Sequence, residues 1–301
     1  LSFKIYDAAG TQIFVEYSCK SDTVTDFVLT PDIAEKAAGI GLMALDNVDD
    51  FSQYKVTVYS VTFAMDEGYG VERIVEAEAP LVPETENGAT LLNTYGKTFG
   101  RLGTCINSFQ MSDLTVWKLL EQHYSSITME NEMKPDAILG GGNPTKLTIE
   151  EAKELGYVIP ENYKEEVVPK LNFYFTDRAI DLCVKYDLGL RGHTLVWHSQ
   201  TPGWFFRENY DRNGALVSPE VMDARLEFFI RSVMGHVYDN ENGTVVYSWD
   251  VVNEFIHSDG VGWQEVYGQE GIQAGFVKKA FQIADDVLKQ YGIREQVSLL
   301  Y

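Results

Sequence analysis

The chain has 301 residues, 45% of them hydrophobic, and 45 Asp or Glu against 24 Lys or Arg give it a formal net charge of −21. That length holds one large domain, or one domain and part of another. A surface this acidic repels phosphate backbones and anionic headgroups, which excludes nucleic acid and membrane surfaces as partners but leaves a neutral polymer open.

No apolar run approaches the ~20 residues of a membrane span, and Leu1 to Ile5 alternates as a strand does rather than reading as a leader, so any signal would precede Leu1. Residues 1–75 read as all-β. Phe3 and Ile5, then Ile13, Val15 and Tyr17, alternate with polar residues around the turn Asp7-Ala8-Ala9-Gly10, and Lys55 to Phe63 is the strongest strand pattern. Residues 76–92 read as a linker, acidic and stiffened by Pro80 and Pro83. The three cysteines, Cys19, Cys105 and Cys183, are widely spaced and odd in number, which predicts buried free thiols rather than disulfides or a metal site.

From residue 93 onward strands and helices alternate. The pattern predicts a strand from Phe99 to Asn107, then a helix capped by Ser112 and running to His123 with Leu114, Trp117 and Leu120 on one face. A strand follows from Tyr124 to Met129. In the long connection Ala137 to Leu171, Thr148 to Leu155 reads as helical, either walling a cleft or decorating a rim. Thr176 is the expected cap of a helix that turns Ile180, Cys183 and Val184 inward and stops at Gly189; Leu190 to Trp197 is the next strand. Ser218-Pro219 opens a helix with Met222, Leu226, Phe229, Ile230, Val233 and Val237 at a 3.6-residue period. Val245 to Trp249 then leads to Asn253-Glu254, a last helix carries Phe276, Ala280, Ile283, Ala284 and Val287 up to Gly292, and Val297 to Tyr301 begins a fifth strand. Repeated βα units imply α/β architecture with a parallel sheet, as a barrel or an open doubly wound sheet.

Polar residues gather at the ends of three successive strands: Glu130, Asn131 and Lys134 after one, His193, Trp197, His198 and Gln200 in and after the next, and Asn253 and Glu254 after the third. Carboxyl ends of barrel strands form the floor of an active site. Metal and phosphate chemistry fit less well. His193 and His198 are five apart on a strand and leave on opposite faces. Gly140-Gly141-Gly142 lacks the Lys-Ser/Thr of a phosphate loop and is followed by Pro144, and there is no HExxH and no Gly-x-Ser-x-Gly. No metal or cofactor is expected. What remains is carboxylate chemistry on a neutral, hydroxyl-rich substrate.

Here a resemblance is plain. Phe99-Gly100 with Asn107, Glu130-Asn131-Glu132-Met133-Lys134-Pro135, Arg191-Gly192-His193-Thr194-Leu195-Val196-Trp197-His198-Ser199-Gln200-Thr201-Pro202 and Trp249-Asp250-Val251-Val252-Asn253-Glu254 occur in the order seen in family 10 glycoside hydrolases, the endo-β-1,4-xylanase barrels, and Trp263, Gly268 and Ala280-Phe281 resemble the segment that follows. The resemblance implies that residues 93–301 are the N-terminal half of a (β/α)8 TIM barrel, about four βα units and the start of strand five. It implies retaining endo-hydrolysis of xylan, with xylan or xylo-oligosaccharides as partners. Glu254 resembles the general acid/base and Asn253 its neighbour on the 2-hydroxyl of the sugar. Glu130, Asn131, Lys134, His193, Trp197 and Gln200 resemble contacts on the non-reducing side of the cleft, and His198 supports them. A Glu among Trp and apolar strand residues would be kept protonated by desolvation and by a second carboxylate.

Retention needs two carboxylates ~5–5.5 Å apart. The resembled family takes its nucleophilic Glu from the seventh strand, so this chain is expected to lack it, to be inactive alone and to need the other half of its barrel. An unclosed half barrel would expose two strand edges and an apolar inner face. Residues 1–75 are similar, through Ile40 to Leu45 and Tyr54 to Phe63, to the closing strands of a jelly-roll carbohydrate-binding module; an unrelated β appendage fits them as well. A non-catalytic carbohydrate-binding protein and another retaining barrel, a cellulase or mannanase, are the alternative functions. Secretion or display at the cell surface is expected from the family and its insoluble substrate.

Overall fold

The computed structural model describes residues 2–8, 11–16, 29, 31–43, 88–255, 262–268 and 275–301. The chain divides into two units, Leu1–Ala79 and Pro80–Tyr301. In the first, β1 (Ser2–Tyr6), β2 (Gln12–Glu16) and β3 (Gly39–Met43) form an antiparallel sheet in the order β2-β1-β3, with a short helix α1 (Pro31–Lys36) before β3. The Asp7 carboxylate accepts from Thr11 N at 2.8 Å and so fixes the β1–β2 turn. Phe3, Ile5 and Val15 are buried, as a period of two requires of a strand with one covered face. Tyr17, Cys19, the Lys55 to Phe63 pattern and residues 76–87 of the acidic stretch lie outside the described residues.

The second unit runs α2 (Leu91–Phe99), β4 (Gly103–Ile106), α3 (Leu114–His123), β5 (Ser126–Met129), α4 (Pro135–Leu139), β6 (Lys146–Thr148), α5 (Ile149–Glu154), β7 (Val167–Pro169), α6 (Tyr174–Lys185), β8 (Gly189–Trp197), α7 (Pro219–Asp239), β9 (Val246–Asn253), α8 (Trp263–Tyr267), α9 (Gly275–Gln290) and β10 (Ser298–Leu300). Strands β4, β5, β8, β9 and β10 pair parallel in the order β10-β9-β8-β5-β4. Each new strand joins the same growing edge, so the order never reverses. A doubly wound sheet needs a reversal point; steady accretion is how a barrel wall grows. β6 and β7 form a separate antiparallel ribbon inside the connection from β5 to α6, with α5 between them.

The helices cover one face of this sheet. Ser218 accepts from Val221 N, Pro219 occupies the first turn of α7, and Met222, Leu226, Phe229, Ile230, Val233 and Val237 are all buried. On α9, Phe276, Ala280, Ala284 and Val287 are buried likewise, and Gly292 at φ 69° turns the chain toward β10. Thr148 and Glu151 form a reciprocal cap on α5.

Several local expectations fail. Phe99 ends a helix instead of opening a strand: Thr90 and Asn93 cap each other's backbone N–H groups, α2 runs to Phe99, and Gly100 stops it at φ 75°. This helix starts at Leu91, within the stretch read as linker. α3 is capped by Asp113, which accepts from Thr115 N and Val116 N, because Ser112 belongs to a 3-10 turn, Gln110–Ser112; Leu114 is exposed. At α6 the side-chain acceptor is Asn172, to Tyr174 N at 3.2 Å, whereas Thr176 is inside the helix and buried. Val184 is exposed, and the turn out of α6 is made at Asp187, φ 53°. Gly189 opens β8, where a Cβ would lie 2.8 Å from the Tyr247 ring. Cys183 is buried, and desolvation pushes its thiol up to about 12; Cys105, expected to be buried, is exposed.

Candidate active site

The ends of β4, β5, β8 and β9 carry polar side chains that meet across neighbouring strands. Glu254 follows the last residue of β9 and adopts φ 58°, which lifts it out of the strand direction. Its Oε2 accepts a 2.9 Å hydrogen bond from Trp197 Nε1 at the end of β8. Lys134 Nζ lies 4.7 Å over the same indole and donates to Asn131 Oδ1 at 3.1 Å. Gln200 Nε2 reaches Asn131 Oδ1 at 3.3 Å and Asp136 Oδ2 at 3.4 Å. On the next strand end, Asn107 Nδ2 donates to Glu130 Oε2 at 3.2 Å. Glu254 and Glu130 are exposed, while Lys134 is 8% exposed.

The strand register explains why these residues meet. β8 and β9 pair so that His193 faces Asp250 and Trp197 faces Asn253. Gly192 is required because a Cβ there would lie 2.3 Å from Trp249 Cε3, and Trp249, fully buried, is held by its Nε1 to Tyr238 Oη at 2.9 Å. Behind the strand ends, His198 makes edge contacts with Trp197 and Phe255, and Trp263 Nε1 donates to the Trp197 carbonyl at 3.2 Å. Trp197 is thus held from below by aromatic packing and a backbone contact.

Sequence reasoning missed a second layer. Asp250, 4% exposed, accepts from Arg191 Nε at 2.9 Å, from Arg191 Nη2 at 2.6 Å and pairs with His193 Nδ1 at 2.7 Å. Burial pushes the Asp250 carboxyl up, but the hydrogen bonds and charges of His193 and Arg191 outweigh it and hold the group below the usual carboxylate range. The signal was available: a lone acid inside an apolar strand needs a partner. The sheet face where these three meet is charged. His193 belongs to this layer through Asp250. Glu132, 9% exposed, accepts from Ser108 N at 2.6 Å and Asn131 N at 3.1 Å. It is structural glue between β4 and β5. Asp136 has its carboxyl raised by burial, against the hydrogen bond from Gln200 and the charge of Lys134.

A concavity of about 550 Å³ lined by Asp223, Glu227, Lys279 and Asp285 lies on the helices α7 and α9 and holds none of the strand-end residues. Among the described residues no group of three or more His, Cys, Asp or Glu side chains is arranged to hold a metal ion, and no helix is long and apolar enough to cross a membrane.

The sequence model of Glycosyl hydrolase family 10 matches residues 90–299. The chain belongs to glycosyl hydrolase family 10. The endo-1,4-β-xylanase A of Butyrivibrio fibrisolvens is 46% identical over 211 residues, which are 70% of this chain and 51% of that protein. This family 10 chain thus spans about half the length of that relative. The endo-1,4-β-xylanase 10B of Clostridium thermocellum, in a structure of its CBM22-1 and GH10 modules with xylohexaose, superposes with a TM-score of 0.53 at 30% identity, covering 66% of this chain and 37% of that one. An intracellular xylanase of Thermoanaerobacterium saccharolyticum shares the fold, with a TM-score of 0.51 at 22% identity over 71% of this chain and 56% of that one. The parallel βα units are accordingly part of a family 10 barrel, joined in sequence to a small antiparallel sheet.

Proposed function

We propose that the whole protein is a retaining endo-β-1,4-xylanase in which Glu254 is the general acid/base. The observation that carries this is Glu254 at the end of β9, bound to Trp197 and continuous through it with Lys134, Asn131 and Gln200 across the neighbouring strand ends, in a chain of this family. A departing glycosidic oxygen needs a proton, and Glu254 is the acid at the β9 end of that set. Trp197 offers an apolar face to a sugar ring. Lys134, Asn131, Gln200 and Glu130 direct hydrogen bonds at hydroxyls on the non-reducing side. Asn253 reads the 2-hydroxyl of the sugar beside the cleaved bond. His193 contributes from the Asp250 layer, and His198 supports Trp197.

The second carboxylate of a retaining mechanism belongs, on this reading, to a later strand of the complete barrel. Residues 1–75 act as part of a carbohydrate-binding β-module joined through the acidic stretch that precedes α2, and the protein works outside the cell, where xylan is. The decisive experiment is Glu254→Gln in the whole protein. Turnover on xylan is expected to fall by about 10³-fold or more, while a β-xyloside with an activated leaving group, which needs no proton, loses far less in its glycosylation step. Equal losses on both substrates would exclude the acid role, and a wild-type protein that binds xylan without cleaving it would exclude the enzyme.

A further inference from the structure

We propose that Asp136 is a positioning residue for sugar recognition: by accepting from the Gln200 side chain it fixes which way the amides of Gln200 and Asn131 are turned, so that Gln200 offers a carbonyl and Asn131 an NH2 to neighbouring sugar hydroxyls. This deepens the reading of the cleft as xylan-binding and rests on it. An acid in the first turn of a helix is ordinary, and Asp136 stands in the first turn of α4. What distinguishes it is its partner. Its backbone N–H donates to the Gln200 carbonyl at 2.9 Å, and its Oδ2 accepts from Gln200 Nε2 at 3.4 Å. Asp136 is therefore tied to Gln200 twice. The backbone tie sets the distance between the two residues, and the side-chain tie sets the direction of the amide.

That direction follows from what the two ends of this set of bonds are able to do. An ammonium only donates and a carboxylate only accepts. Lys134 Nζ meets the Asn131 side chain at 3.1 Å, so the atom it meets is Oδ1. Asp136 meets the Gln200 side chain, so the atom it meets is Nε2. Between them Gln200 Nε2 donates to Asn131 Oδ1 at 3.3 Å, the one pairing that both ends allow. The two protons of Gln200 Nε2 and the two lone pairs of Asn131 Oδ1 are then engaged within the protein. What is left for a ligand is the Gln200 Oε1 acceptor and the Asn131 Nδ2 donor, neither of which has a partner among the described residues. Each hydroxyl of a pyranose both donates and accepts, so a donor beside an acceptor suits two hydroxyls on neighbouring carbons. The oxygen and nitrogen of an amide are nearly alike in size, and only their partners choose between the two orientations. Without the Asp136 carboxylate, Gln200 is held by the single bond to Asn131 and is free to turn over, setting NH2 where the carbonyl stood.

The test uses the whole protein in a Glu254→Gln background, so that the ligand persists, and measures calorimetric affinity for xylohexaose. Asp136→Ala is expected to weaken binding about fivefold, the loss of one hydrogen bond, and to have no further effect once Gln200→Ala is present. A merely structural role would weaken binding alike in both backgrounds. A second pair of variants keeps polar side chains of the same size at both positions. Gln200→Glu sets two acceptors against each other and should cost about tenfold or more; adding Asp136→Asn supplies a donor and should recover most of that loss. The proposal is overturned by an Asp136→Ala loss that is absent or the same with and without Gln200, or by a double variant that binds no better than Gln200→Glu alone. If the protein with Glu254 intact binds xylohexaose but never cleaves it, the enzymatic reading fails while these comparisons still decide this one. If xylohexaose does not bind at all, both fall.

Discussion

Trp197 Nε1 donates to Glu254 Oε2 at 2.9 Å, while the face of the same indole lies 4.7 Å under Lys134 Nζ. One side chain thus ties a residue of β9's end to one that follows β5, and it performs two separable tasks. Trp197→Phe keeps the apolar face and loses the N–H. A hydrogen bond that is partly open to water is worth of the order of 1 kcal/mol, so kcat on xylan is expected to fall about fivefold to tenfold with KM little changed. Trp197→Ala removes both tasks and should raise KM as well. Steady-state kinetics of the two variants checks this, and identical profiles would show that the N–H does nothing distinct.

Asp250 makes a pH-dependent contribution. Its carboxyl is held below the usual range in the folded protein. Such a group adds stability that is fully present above the unfolded-state value of about 3.9 and is lost as pH falls through the folded value. Asp250→Asn is expected to cost about 2–3 kcal/mol at neutral pH, less than a fully buried pair because Arg191 is 42% exposed. The cost should shrink below about pH 4. Urea titrations at pH 7 and pH 3.5 measure both, and a deficit independent of pH would contradict the assignment.

Arg225, completely buried, binds Glu165 through Nε at 2.6 Å and through Nη2, and donates from Nη1 to the carbonyls of Phe205 and Arg207 at 2.7 and 2.9 Å. Its guanidinium lies 3.8 Å over the Tyr210 ring. This clasp joins the β5–α6 connection and the loop after β8 to α7. Lysine cannot reproduce the fork, so Arg225→Lys should destabilise by about 3 kcal/mol or more. Arg225→Met combined with Glu165→Leu should cost less than Arg225→Lys, since no unpaired charge is left behind. Chemical denaturation of the variants tests the order.

Gly192→Ala places a Cβ against Trp249, which cannot retreat because its Nε1 is held by Tyr238. The expected cost is at the upper end of the ~1–3 kcal/mol range for overpacking. In a Trp249→Leu background the same substitution should cost less. Equal costs in the two backgrounds, again by denaturation, would refute the steric account.

The helices with strong burial periodicity were legible because they pack against a sheet along one stripe. The spacing of Met222, Leu226, Phe229, Ile230, Val233 and Val237 foretold α7 and its Ser218-Pro219 start. The element that defeated sequence reasoning, α2, does not bury its stripe: Leu91, Tyr95 and Phe99 share one face and are exposed, and its ends are set by the Thr90–Asn93 cap and the Gly100 stop.

The sequence by itself determined which polar residues stand at which strand ends, because side-chain period and strand length are local properties, and with them the family. Three things were decided only by tertiary structure. Strand order requires the pairing of segments far apart in the chain, and it removed the doubly wound alternative. The Arg191–Asp250–His193 layer exists only because β8 and β9 lie in one register, which brings residues 57 and 59 positions apart into hydrogen-bonding range. The exposure of Glu254 and Cys105 is likewise a property of what surrounds them. Local preferences set the elements, but burial and register are sums over neighbours from distant sequence, and a linear pattern does not contain them.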